Sequence, residues 1–251
     1  MATQSSSLPF FGELPPVVQQ LLDDLVQSAQ RCFQDDLTSI VLFGSGAEGR
    51  LRATSDLNLL VVLKRFDKGH VDAFREPLRL AHVAGRASAM FVLDAELPAA
   101  AEAFAVKFDD IARRRRVLFG EDVIARLTTS RAARKQRLCQ VLLNLALRLR
   151  QQYAMLSLRE EQLATVIADA AGPLRSAAAT LLELEGRPVA SPKEALEQVA
   201  HCLEGSDWPG ALSQMTEARQ SRRLPAGVAV AVMFRLMTLA EHMRLRAERV
   251  D

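Results

Sequence analysis

A chain of 251 residues, 49% apolar and 25% charged, is long enough for one large or two modest domains and apolar enough to bury a sizeable core. A formal net charge of +2 excludes a strong bulk attraction to nucleic acid, so nucleic acid is not an indicated partner, although a local basic patch stays open. Cys32, Cys139 and Cys202 are odd in number and widely spaced, which fits neither a disulfide framework nor a zinc site and suits reduced thiols in a cytoplasmic protein.

In chain order, residues 1–8 read as a loose tail with no basic stretch before an apolar run, and so not as a secretion signal. Pro15 and Pro16 open a helix expected over 14–33, with Val18, Leu21, Leu22, Leu25 and Val26 on one face. Strands are predicted over 38–43 and 56–63, on either side of a glycine-rich turn. A helix over 68–84 follows, carrying Val71, Phe74, Leu78 and Leu80 or Ala81, with Pro77 as a site of kinking or splitting. A third strand is predicted over 87–93. Residues 98–115 read as one helix with Ala101, Phe104, Phe108 and Ile111 on a stripe, and 117–119 as a short strand closed by Gly120. The run Arg113–Arg116 reads as hydrated charge complementing a helix end.

After about residue 125 the strand-like alternation stops and helix formers recur at 3.6-residue spacing. Leu138, Val141, Leu142, Leu145, Leu149 and Leu156 line one helix. Leu163, Val166, Ile167, Leu174, Leu181 and Leu182 line a second, expected to kink or break at Gly172-Pro173. Ser191-Pro192-Lys193-Glu194 is a capping-box start for a helix reaching 203. A short helix near 211–219 and a long one over about 226–249 bring the expectation to roughly five. The longest apolar segment, 226–234, is far short of the ~20 residues a membrane span requires, so no membrane partner is expected. Arg235 and His242 share a helix face, and His70, His82 and His201 read as surface or boundary residues.

Most of the chemistry sits in residues 40–63, IVLFGSGAEGRLRATSDLNLLVVL. Gly44, Gly46 and Gly49 permit a tight turn and close approach to a ligand, while Ser45, Arg50 and Arg52 supply a hydroxyl and two positive charges suited to phosphate. In a period-2 strand Asp56 and Asn58 point to the same face, so their oxygens can reach one cation. No Gly-Lys-Ser/Thr follows, which excludes a P-loop. Gly44-Ser45-Gly46-Ala47-Glu48-Gly49 leads to another strand and not to a helix, which argues against a dinucleotide fingerprint.

Gly-Ser, a spacer of about ten residues and Asp-x-Asn between apolar strands resembles the minimal nucleotidyltransferase domain of the DNA polymerase β superfamily. Its motif core corresponds to residues 37–122. The resemblance implies an α+β fold. On that resemblance an N-terminal mixed β-sheet nucleotidyltransferase domain with flanking helices is expected over residues 1–124 and an all-α helical bundle over 125–251, a plan similar to that of the aminoglycoside nucleotidyltransferases. It further implies a nucleoside triphosphate held at Gly44, Ser45, Gly49, Arg50 and Arg52. Asp56 and Asn58 then occupy the catalytic and metal positions, facing Mg²⁺ or Mn²⁺ that arrives with the nucleotide. The chain departs from the family pattern in two places: Asn58 stands where active members carry the second carboxylate, and ASAMFVL at 87–93 contains no third acid, Asp94 and Glu96 falling just beyond it. Two readings stay open. One is an Mg-NTP-binding protein that transfers a nucleotidyl group to the hydroxyl of an unknown acceptor. The other is a catalytically silent nucleotide-binding or protein-interaction module, including an antitoxin-like half of a pair.

Overall fold

In the computed structural model residues 12–49, 51, 55–187, 189–203 and 207–250 are described. Two apolar heptapeptides form the centre of its sheet, β1 (Leu37–Phe43) and β2 (Leu57–Leu63), with β3 (Ala87–Leu93) and β4 (Arg115–Gly120) outside them in the order β3-β2-β1-β4. β1 runs antiparallel to both β2 and β4, whereas β2 and β3 are parallel, so the sheet is mixed. The parallel pair requires a crossover, which α2 (Lys68–Gly85) supplies.

Near-continuous hydrophobicity in β1 and β2 follows from burial on both faces. Leu57, Leu59, Val61 and Leu63 join Leu22, Leu25 and Phe33 of α1 (Pro16–Phe33) and Phe74 and Ala81 of α2 in one core cluster. Leu60 and Val62, on the opposite face of β2, are also completely buried. Phe33 and Phe74 meet at 5.1 Å between ring centroids, locking the two helices over the sheet. Pro77 does not split α2, and at its end Ala81 is buried while Leu80 faces outward.

The chain divides into two compact units, Met1–Leu97 with Ile111–Leu127, and Pro98–Asp110 with Thr128–Asp251. The expected single helix over 98–115 is two, α3 (Leu97–Ala103) and α4 (Ala105–Arg113), separated by a turn at Phe104. Phe104 therefore leaves the apolar stripe and is exposed, carrying the Arg137 guanidinium 5.0 Å above its ring, while Ala101, Phe108 and Ile111 remain buried.

In the second unit α5 (Arg131–Leu156), α6 (Glu160–Leu184), α7 (Pro192–His201), α8 (Trp208–Ser221) and α9 (Ala229–Glu248) pack around α6, which touches the other four. Alanines at 170, 171, 177, 178 and 179, all buried, let its neighbours approach closely. α6 continues through Pro173. Ser130 caps α5 by accepting from the Ala133 amide, Ser191 caps α7 by accepting from Glu194, and Asp207 caps α8 by accepting from Gly210. Tyr153 and Phe234 pack edge to face at 4.8 Å between α5 and α9. No helix among the described residues is long and apolar enough to cross a membrane.

Candidate functional site

Antiparallel pairing of β1 with β2 places Phe43, the last residue of β1, opposite Asn58 near the start of β2. The 3-10 turn Gly44–Gly46 follows at once, so the glycine turn and the Asp56-x-Asn58 segment lie at the same end of the sheet. Gly44 has φ +76°, and a Cβ on it would lie 4.0 Å from Asn58 Nδ2, which puts the turn directly beside the amide. The Gly44 N–H donates to the Arg114 carbonyl at 2.9 Å, that of Ala47 to the Gly44 carbonyl at 3.1 Å and that of Gly49 to the Gly46 carbonyl at 3.2 Å.

The loop beyond the turn is fastened from two sides. Arg116 Nη2 donates to the carbonyls of Gly12 (2.8 Å) and Ala47 (3.2 Å), and Arg114 pairs with Glu48 at 3.5 Å. Gly49 has φ +71°, and a Cβ there would sit 2.6 Å from the Gly12 carbonyl oxygen. Arg115 makes a bidentate pair with Asp122. The expectation of a hydrated charge run at 113–116 is therefore wrong for Arg114, Arg115 and Arg116, which are spent inside the first unit. β4 begins at Arg115, earlier than the apolar residues alone indicated, and acids at 48 and 122 supply the countercharge. Arg50 and Arg52 lie outside the described residues.

Asp56 has a specific partner that spacing arguments did not anticipate. Parallel register aligns Leu57 with Ala87 and thus sets Asp56 beside Arg86. Arg86 ends α2 in the left-handed region (φ 54°, ψ 34°), its carbonyl accepts the Leu57 N–H at 3.3 Å, and its Nε donates to Asp56 Oδ1 at 2.6 Å. Both side chains are about half exposed. Abreast of Asn58 on β3 stands Ser88, a hydroxyl and not an acid. Asp94 and Glu96 follow the opposite end of β3, with Asp94 about 26 Å along the strands from Asp56 at ~3.3 Å per residue. There Asp94 pairs with Arg126 at 3.5 Å and Glu96 Oε2 accepts the Leu93 N–H at 3.0 Å.

This donor set does not fit a resident divalent cation. Such ions need several hard oxygen ligands, and Asp56 is one carboxylate already shared with a guanidinium, beside a neutral amide and a hydroxyl. Among the described residues no group of three or more His, Cys, Asp or Glu could hold a metal.

The other singled-out residues lie elsewhere in the fold. His70 Nδ1 lies 3.4 Å from Asp36 Oδ2. Arg235 Nη1 donates to the Asp207 carbonyl at 3.2 Å. Burial first, then the charges of Arg246 and Arg249, push the His242 imidazole below its ordinary value, with Glu185 opposing. A cavity of about 580 Å³ lies between α7 and α8, with Ala200, Trp208, Leu212 and Thr216 among its lining and Glu197 and Glu217 on it as well.

No protein-family model matches the chain. A segment of 56 residues, 22% of the chain, is 41% identical to a protein of Methanocaldococcus jannaschii that carries the name protein adenylyltransferase, and it spans 38% of that protein's length. Spectinomycin adenyltransferase AAD(9) from Enterococcus faecialis, solved with ATP and spectinomycin, superposes with a TM-score of 0.63 over 92% of this chain and 99% of its own, at 10% identity. The chain thus has a nucleotidyltransferase fold, an α+β sheet domain together with a helical unit.

Proposed function

We propose that this chain binds a nucleoside triphosphate at the end of its sheet where the Gly44–Gly46 turn meets Asp56 and Asn58, with ATP as the first candidate. The observation that carries the reading is the pairing of Phe43 with Asn58, which brings the glycine turn and the Asp-x-Asn segment together. The name of the archaeal relative and the ATP bound by the spectinomycin enzyme support the choice of nucleotide. Ser45, through its hydroxyl and its amide, is assigned to the phosphates. Gly49 shapes the loop behind them, and Arg50 and Arg52 follow directly in the chain as further phosphate partners. Mg²⁺ or Mn²⁺ brought by the nucleotide would be held by its phosphates, with Asp56 and Asn58 the side chains that would face it.

Nucleotidyl transfer is the second reading, favoured by the names of both similar proteins. It would join an acceptor hydroxyl oxygen to the α-phosphorus as the bond to the β-phosphate breaks, releasing pyrophosphate and a proton. Catalysis of this kind rests on positioning and charge, and a base must accept the proton. Asn58 and Ser88 provide neither the charge nor the base, so binding without efficient turnover is the function this site supports best, with an acceptor or a protein partner still to be identified.

Titration calorimetry with ATP, GTP, CTP and UTP, each with and without Mg²⁺, tests it. Saturable binding of ATP, competed by its analogues, is expected. Failure to bind any of the four would overturn the nucleotide reading and leave a protein-interaction module on the same fold. Radiolabelled ATP offered with candidate acceptors then separates a binder from a transferase.

A further inference from the structure

We infer that Arg86 takes the place of a resident divalent cation at this site, so that nucleotide phosphate meets a fixed guanidinium and binding does not depend on metal. The inference rests on the nucleotide reading above and specifies how that site is charged. Asp56 is the one acid of the Asp-x-Asn segment, and the positions where further acids would help, Asn58 on β2 and Ser88 abreast of it on β3, are neutral. Arg86 is held against Asp56 by the backbone as well as by its side chain. It caps α2 in a left-handed conformation that non-glycine residues rarely adopt, and its carbonyl accepts the amide of Leu57, one residue past Asp56.

Among the described residues Arg86 hydrogen-bonds Asp56 through Nε alone, which leaves its Nη groups as donors toward an anion. A guanidinium presents a planar fork that matches phosphate oxygens, and a partly exposed one stays charged at any physiological pH. A divalent ion meets the reverse situation. Coordinating Asp56 through Oδ2 leaves the Nε bond to Oδ1 in place, and the ion then sits within about 6 Å of a unit positive charge, a repulsion that even in bulk water lowers affinity by about tenfold. Phosphate gains from the same charge.

The test compares the wild type with Arg86→Gly and Arg86→Lys. Glycine suits the left-handed cap, so the first variant removes the charge without straining the backbone. One arm measures ATP affinity by calorimetry in EDTA and in Mg²⁺; the other titrates Mn²⁺ alone, followed by electron paramagnetic resonance. The wild type is expected to bind ATP within about twofold in the two conditions and to take up little Mn²⁺. Arg86→Gly should lose about tenfold in metal-free ATP affinity and gain about tenfold for Mn²⁺, with Arg86→Lys close to wild type. Wild-type ATP binding that vanishes in EDTA, or an Arg86→Gly protein unchanged in either arm, overturns the role of Arg86 while leaving a nucleotide site standing. Absence of nucleotide binding in every protein overturns the nucleotide reading instead, and the Mn²⁺ arm still decides whether Arg86 keeps metal away from Asp56.

Discussion

Arg115, nine-tenths buried, grips Asp122 with three hydrogen bonds, Nε to Oδ1 at 2.9 Å and to Oδ2 at 3.1 Å and Nη2 to Oδ2 at 2.8 Å. The pair joins the first residue of β4 to the segment just after it, on the strand whose neighbouring arginines fasten the glycine loop. Asp122→Ala leaves a buried guanidinium half satisfied and should cost about 2–3 kcal/mol, read as a lowered urea midpoint at unchanged slope. Loss of nucleotide affinity should follow only where the domain has begun to unfold.

The same pair makes stability sensitive to acid. Burial opposes ionisation of Asp122, but the hydrogen bonds and charge of Arg115 overcome it and hold the carboxyl below its ordinary value. A depressed native value means stability that is complete above the carboxyl's unfolded pKa and is lost as pH falls through the native one. Urea midpoints should therefore drop below about pH 4 in the wild type, and Asp122→Asn, already weakened at neutral pH, should show a shallower acid decline.

Gly49→Ala should destabilise by about 1–3 kcal/mol, because φ +71° is strained for alanine and its Cβ would press within 2.6 Å of the Gly12 carbonyl oxygen. Backbone against backbone leaves no flexible side chain to yield. Because the loop starts one turn after Ser45, ATP affinity should fall along with stability. A thermal midpoint equal to wild type would show that the loop tolerates a different path.

Much of this architecture is legible before any coordinates, for physical reasons that also explain the misses. A mainly apolar stretch running into Gly-Ser and another beginning after Asp56 have few alternatives to paired strands, and the periodicity of 138–184 admits little but two long buried helices. Neither proline breaks its helix: α2 and α6 each continue through one, because packing along the rest of the helix outweighs a single lost hydrogen bond. The turn at Phe104 carries no glycine or proline to announce it. Long-range partners were hidden most completely. That Arg86 answers Asp56, thirty residues earlier, depends on parallel register, and that Arg116 answers Gly12 and Ala47 depends on β4 lying beside β1. A basic residue directly before the third strand is the one signal in the sequence that could have pointed to the first of these.

Asp56→Ala separates the contributions of carboxylate and guanidinium. An ion pair this exposed contributes at most about 1 kcal/mol, so the thermal midpoint should stay within a few degrees of wild type. Any metal-dependent part of ATP binding should disappear, since the one carboxylate is gone. Metal-free binding should strengthen a fewfold, because Arg86 no longer shares its Nε with a competing anion. Calorimetry in EDTA reads that sign directly; weaker metal-free binding would place Asp56 in contact with the nucleotide itself.

Asn58→Asp restores a second carboxylate on the same face of β2 as Asp56, beside the glycine turn. Two carboxylates and one guanidinium leave a net negative site, so Mn²⁺ affinity should rise by about tenfold or more, and further when combined with Arg86→Gly. Acid on both sides also raises the cost of metal-free phosphate binding, so ATP affinity in EDTA should fall as affinity in Mn²⁺ rises. If labelled nucleotide is then transferred to an acceptor hydroxyl, the amide at 58 was what silenced the site. If metal binds and transfer does not follow, the missing element is the base, and Ser88, abreast of residue 58 on β3, is the position at which a third acid should next be placed.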